Sequence, residues 1–342
     1  MKKFCASVWL GLGLLVAQLV PLALAQDFFA GKTITFVVGS GVGGGYDLQA
    51  RLAARHLGKH IPGHPTVVVQ NMPAAGGIAA TNHIFSTAPK DGTMIALIQR
   101  GMLLSKLSNP GGTRFAIDKF NWLASLNSET AVALVWNASA PHRVARDLFE
   151  KELIVGGVPG VDPETTPRLF NAVIGTKFKI VNGYNSTAQI ALAMERGEVH
   201  GIADWSWSSI KSVRPSWVPE KKVTPLLQGA LKRDPELGDL PSALDFVKSD
   251  AERKVLELHF TQKLAARPVI APPGMPPERA FMLRAAFAAL GRDREFLADA
   301  ERAKQEFGLV PGEEVDKVVS LIVSTPPEIA DRYARAFAPE QR

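Results

Sequence analysis

The chain has 342 residues, 46% hydrophobic and 21% charged, with 29 Gly and 24 Pro, a composition that excludes disordered, fibrous and collagen-like classes. Two lobes are expected, because a single core stops growing at roughly 250–300 residues; with its one long apolar run at the extreme N-terminus, the chain is not a polytopic membrane protein. The formal charge of +6 is spread over scattered residues rather than a basic stripe, so no nucleic-acid partner is expected.

Met1-Lys2-Lys3 supplies a positive start, residues 8–20 an apolar stretch and Ala23-Leu24-Ala25 a small-x-small pattern, so residues 1–25 read as an export signal cleaved after Ala25. The mature protein then begins at Gln26, in the periplasm, and loses Lys2 and Lys3, which lowers the formal charge from +6 to +4. Cys5, the single cysteine, leaves with the signal, so the mature chain has no thiol, disulfide or thiolate metal ligand.

From Lys32 onward short β-branched runs alternate with helix-period stretches, the pattern of an α/β layered fold with mostly parallel strands. Strands are expected at 34–38, 66–69 and 94–98, with a glycine-rich loop and a helix carrying Leu48, Leu52 and Leu57 after the first. A second small-residue loop and another helical segment follow the second strand. Strands at 122–126 and 131–135 lead across into a second unit of the same architecture. That unit has strands at 153–157 and 179–181, a helix at 167–174, and a helix capped by Tyr184-Asn185-Ser186-Thr187 that runs to Arg196 and stops at Gly197. A return strand is expected at 223–227. The remainder reads as helices at 244–258, 277–290, 295–307, 313–323 and 327–337, with a short strand at 268–270.

Gly39-Ser40-Gly41-Val42-Gly43-Gly44-Gly45 contains a literal GxGxxG between a strand and a helix. In a dinucleotide site an acid about 20 residues onward holds the ribose. No Asp or Glu lies between Leu48 and Lys90, so no nucleotide or other cofactor is expected. The loop still presents several backbone N–H groups beside a helix N-terminus, which suits a carboxylate or another anion. Asp47 and Arg51 stand at i and i+4, an acid at the positive end of a helix paired with a base. His56, His60 and His64 recur every four residues, but Gly58 and Pro62-Gly63 break that helix and no carboxylate is near in sequence. Solvent-facing histidines are therefore expected, and no metal site. Motifs of serine hydrolases, zinc proteases and phosphate loops are absent. Asp204-Trp205-Ser206-Trp207-Ser208-Ser209 joins two large aromatics to small polar and acidic side chains, as a cleft wall or as packing between lobes.

In this order the motifs resemble those of the extracytoplasmic solute receptors of tripartite tricarboxylate transporters, the Bug family, over essentially the whole mature length. The resemblance rests on Gly43-Gly44-Gly45-Tyr46-Asp47-Leu48-Gln49-Ala50-Arg51, on residues 67–77, and on Asp91-Gly92-Thr93. It also rests on Gly183-Tyr184, Gly197-Glu198-Val199-His200-Gly201 and Ala271-Pro272-Pro273-Gly274. Val42, Ala74, Asn185 and His200 stand where the family usually has Pro, Gly, Pro and Asp.

The resemblance implies a type II periplasmic binding protein fold: two α/β lobes, a central ligand cleft and two crossing hinge strands. Residues 26–127 would form the first part of lobe 1, 128–228 lobe 2, and 229–342 the mostly helical second part of lobe 1. It implies a monomeric receptor without catalysis that captures a small organic anion of carboxylate type and delivers it to membrane permease subunits. By position, one carboxylate would be gripped by Ser40, Gly43, Gly44, Gly45, Tyr46, Asp47, Ala75 and Gly76. The second lobe would contribute Val158, Asn185, Ser186, Thr187 and Asp204. An ionised Asp204 facing the solute would disfavour a second carboxylate. Two alternatives remain at this point: an exported enzyme using Asp47, Asp204 or His200 as a base, and a receptor that feeds a sensor.

Overall fold

A computed structural model describes residues 28–338; the signal reading, its cleavage point and Cys5 lie outside the described residues. Among the described residues no helix is long and apolar enough to cross a membrane. The first unit runs β1 (Thr33–Val38), α1 (Gly45–Leu57), β2 (Thr66–Asn71), α2 (Ile78–Ser86), β3 (Met94–Leu97) and β4 (Asn121–Ser125). The second runs β5 (Ala131–Trp136), β6 (Leu153–Gly157), α3 (Asp162–Ile174), β7 (Phe178–Asn182), α4 (Thr187–Glu195), β8 (Gly201–Ser206), α5 (Trp207–Val213) and β9 (Val223–Gly229). After these come α6 (Asp250–Thr261), β10 (Pro268–Ala271), α7 (Pro277–Leu290), α8 (Arg294–Arg302), β11 (Val310–Pro311), α9 (Gly312–Val323) and α10 (Pro327–Arg335).

Two sheets result, ordered β11-β4-β10-β3-β1-β2 and β7-β6-β8-β5-β9. Leaving β11 aside, the two orders are the same: three parallel strands, one antiparallel strand that has crossed over from the other lobe, and one strand beyond it. Strand chemistry follows position in the sheet. Central β1, covered on both faces, is buried from Phe36 to Val38, whereas edge strand β2 alternates between exposed and half-buried residues.

Several boundaries differ from those the sequence predicts, among them the end of α8, which stops at Arg302 rather than at 307. Helix α3 starts at Asp162 rather than Pro167: Pro163 occupies its first turn, where a missing N–H costs nothing, and Pro167 is buried inside the helix. The expected helix at 244–258 is divided. A single turn, Ala243–Asp245, is closed by a reciprocal Ser242–Asp245 capping box, and α6 restarts after Ser249 accepts the Glu252 N–H. The division expected at 228 places this stretch with lobe 1, yet Phe246 lies 4.8 Å from Phe149 and Phe260 meets Phe170 edge-on at 6.3 Å. These are contacts with the second unit. Finally, Asp204 to Ser206 are the end of β8 itself and Trp207 opens α5.

The chain crosses between lobes twice, along residues 126–130 and 262–267. The crossings run side by side: Leu126 N–H donates to Arg267 O (3.0 Å), Ala266 N–H to Asn127 O (3.0 Å) and Glu129 N–H to Lys263 O (3.1 Å). Glu129, Lys263 and Arg267 thereby stand on the hinge itself, between the two sheets.

Candidate functional site

A narrow cleft lies between the sheets above this hinge. Helices α1, α3 and α4 all start at its wall, contributing Gly45 and Tyr46, Asp162 and Pro163, and Ser186 and Thr187. Neither α1 nor α3 has a side-chain cap. Three positive helix ends therefore converge on one space, which favours an anion there.

Of the residues expected at the site, Ser40, Gly45, Tyr46, Val158, Ser186, Thr187 and Asp204 line the cleft. Gly43, Gly44, Asp47, Ala75, Gly76 and Asn185 are not part of that wall. Asp47 instead shapes the loop: its carboxylate accepts from Gly43 N–H (2.9 Å), Asn71 Nδ2 (2.8 Å) and Arg51 Nε (3.0 Å). Asn71 also holds Ser40 O at 2.9 Å. Burial works against the Asp47 charge, but these donors outweigh it and hold the carboxyl below its usual range. Ala75, Gly76 and Gly77 all have positive φ, and the tight turn carries Gly76 to the opposite lobe.

Loops of the two lobes also touch. Gly41 N–H donates to Asn185 O at 3.2 Å, and a Cβ on Gly76 would collide with the Pro159 carbonyl oxygen. Gly76→Ala is therefore expected to destabilise this closed arrangement by about 1–2 kcal/mol from the left-handed backbone alone. Small-angle scattering should show a more open particle than wild type. An unchanged profile would mean that this contact does not set closure.

The sequence gives no warning of the cleft's charged floor. Arg100, Asp162, Asp204, Lys263, Arg267 and Glu129 are all buried there. Arg100 Nε pairs with Asp162, Nη2 with Asp204 at 2.6 Å, and Nη1 with Ser206 Oγ at 2.9 Å and Glu129 at 3.4 Å. The other Asp204 oxygen accepts from Lys263 Nζ (2.6 Å) and Thr166 Oγ1 (2.9 Å). Burial disfavours an Asp204 carboxylate, but Lys263 and Arg100 more than offset it, so the group is held ionised below its usual range. Asp204 thus lines the cleft as a paired member of a network. Trp205 lines the cleft and packs edge-on against Trp217 at 5.9 Å.

Gln99, Arg100, Val161, Asp162, Pro163, Ser206, Ser209 and Arg267 complete the wall. One signal could have found several of them: ligands of α/β sheets sit beyond the carboxyl ends of parallel strands. Gln99 and Arg100 follow β3, Asp162 lies beyond β6 and Ser206 ends β8. Arg267 escapes that rule because it precedes antiparallel β10, whose N-terminal end points the same way.

The histidine expectation needs correcting. His56 Nε2 lies 2.7 Å from Asp299 and His60 Nε2 3.0 Å from Asp293, carboxylates supplied by α8 and its cap from far along the chain. His56, Asp293 and Glu295 come close enough to hold a cation. Lys59 Nζ already stands between the two acids, 2.7 Å from Asp293 and 2.6 Å from Glu295.

No family model and no curated protein matches the sequence. Solved structures do. BugD, a periplasmic binding protein, is 19% identical with a TM-score of 0.70, the match covering 90% of this chain and 98% of that one. The chain has the two-lobed periplasmic binding protein fold. A protein of R. palustris solved with adipate (20% identity, TM-score 0.69, 89% and 97% covered) shares this fold. So does MatC from Rhodopseudomonas palustris with bound malate (19%, 0.67, 91% and 100% covered).

Proposed function

We propose that the chain is an exported, monomeric solute receptor of the Bug family, which captures a small organic carboxylate between its lobes and hands it to the permease subunits of a tripartite tricarboxylate-type transporter. The observation that carries this reading is the meeting of three helix N-termini and buried guanidinium groups in one interlobe cleft. Two similar structures hold adipate and malate, and the signal read in residues 1–25 fits a periplasmic location. A ligand closes such lobes through its higher affinity for the closed form.

Binding without chemistry is favoured over catalysis because both Asp204 oxygens and the Asp47 carboxylate are engaged and Asp162 is ion-paired with Arg100, its Oδ1 alone being without a donor among the described residues. Asp204 and Asp162 are tied to Arg100, and Asp47 accepts from Gly43, Asn71 and Arg51 outside the cleft wall. A general base needs an oxygen within reach of the proton it takes. Calorimetric titration of the protein from Gln26 onward with small carboxylates should give one saturable site. The acid should be recovered unchanged by NMR after prolonged incubation. Continuous product formation would instead favour an enzyme.

A further inference from the structure

Arg267 stands on the return crossing of the hinge, 1% exposed, and lines the cleft. Its guanidinium is fixed on all sides but one. Nε donates to Gln49 Oε1 (3.1 Å), and Nη2 to Ser209 Oγ (2.7 Å) and Glu129 (2.9 Å). Its plane lies 4.0 Å from the Tyr46 ring centre, and Tyr46 is itself pinned, donating to Ala266 O (2.9 Å) and accepting from Arg100 N–H (3.1 Å). Among the described residues no acceptor meets Nη1. The guanidinium is charge-paired with Glu129, but its edge without a hydrogen bond belongs to a residue of the cleft wall, where it can take an anion bidentately or through one oxygen.

The start of α1 is built to approach this edge. A Cβ on Gly45 would collide with Ser209 Oγ and come within 3.2 Å of Arg267 Nη2, so only glycine allows the approach. The uncapped amides of Gly45 and Tyr46 and the spare Arg267 nitrogen therefore border the same space.

The other cations in the cleft are occupied. Arg100 is shared by Asp162, Asp204 and Glu129, and Lys263 pairs with Asp204. A second ligand carboxylate would meet Asp162 and Asp204 with no counter-charge to spare, at the cost of an unpaired buried charge. We propose that Arg267, with the α1 amides, anchors the solute's carboxylate and that the cleft selects a solute bearing a single one. This rests on the carboxylate reading of the cleft.

The test is a thermal-shift and calorimetric comparison of wild type with Arg267→Met, using C2–C8 monocarboxylates, their neutral amides, and the matching di- and tricarboxylates. Wild type should bind one or more monocarboxylates and discriminate them from their amides. Arg267→Met should lose affinity by about 100-fold or more, as when one partner of a buried charged pair is removed, and lose the acid-over-amide preference with it. Because that variant takes the nearer cation from Glu129, leaving it Arg100 at 3.4 Å, Arg267→Met with Glu129→Gln is made alongside; it removes one charge of each sign and should show the same loss while folded. Equal affinity for acids in wild type and a folded variant would overturn the Arg267 assignment while leaving the receptor reading intact. Binding of dicarboxylates or tricarboxylates alone would overturn the single-carboxylate selection. No stabilisation of wild type by any acid would remove the carboxylate reading itself.

Discussion

Asp204→Asn is expected to destabilise the protein by about 3–5 kcal/mol, the range for breaking a buried ion pair from one side. The carboxylate holds Arg100 at 2.6 Å on one oxygen and Lys263 at 2.6 Å on the other. Asn offers one acceptor and turns its NH₂ toward a cation, so either Arg100 or Lys263 is left facing a donor in a buried site. The urea midpoint should fall with the slope unchanged, because the loss is of stability and not of compactness. A loss under about 1 kcal/mol, typical of exposed pairs, would show that the network is open to water. The outcome also separates two roles for this residue. An unpaired acid reading the solute would alter selectivity with little effect on stability.

The second large effect is on pH. His259 is fully buried on α6, and burial pushes its imidazole down to about 4, with Lys263 and Arg100 acting in the same direction and Asp162 and Asp204 opposing. Its hydrogen bonds suit the neutral ring. Thr166 Oγ1 donates to Asp204 and so must accept from His259 Nε2 at 2.8 Å, leaving Nδ1 to accept from Tyr333 OH at 3.1 Å. An unfolded histidine takes its proton near pH 6.5. Between there and pH 4 the unfolded chain binds a proton that the folded chain refuses, so stability falls as pH falls. Integrated over that window the loss is about 3 kcal/mol from this one group. The depressed carboxyls of Asp204 and Asp47 lose their contribution only on further acidification, as each folded group is protonated. Urea midpoints measured at pH 7, 5.5 and 4 should decline, and His259→Gln should flatten that decline. Midpoints that coincide at pH 7 and 4 would mean that the ring is charged or hydrated in the fold.

Local chemistry was legible in the sequence wherever the partners lie close along the chain. The strand–loop–helix order, a cap for α4 within residues 184–187 (Ser186 in the structure) and the Asp47–Arg51 pair all join residues within a few positions of one another. The sites built by long-range contact were not. Arg267 meets Gln49 and Ser209, Arg100 meets Asp162 and Asp204, and His56 meets Asp299, pairs made only when the crossings and α8 are in place. The glycine loops show the intermediate case. Their glycines announced a backbone role, and the structure gives one of them, Gly76, a place against the other lobe that no pattern of glycines could specify. Charged residues before or after a strand carried the missing information, since their side of the sheet is fixed by strand direction.

The most direct test of a receptor that holds a single carboxylate without altering it is mass analysis of the small molecules released when purified mature protein is denatured, before and after loading with an organic-acid mixture. The expected result is close to one equivalent per chain of an acid with one carboxylate, its mass unchanged by incubation, and none retained by a folded Arg267→Met, Glu129→Gln double variant. Release of no acid after loading, or of an acid whose mass has changed on the protein, would contradict it.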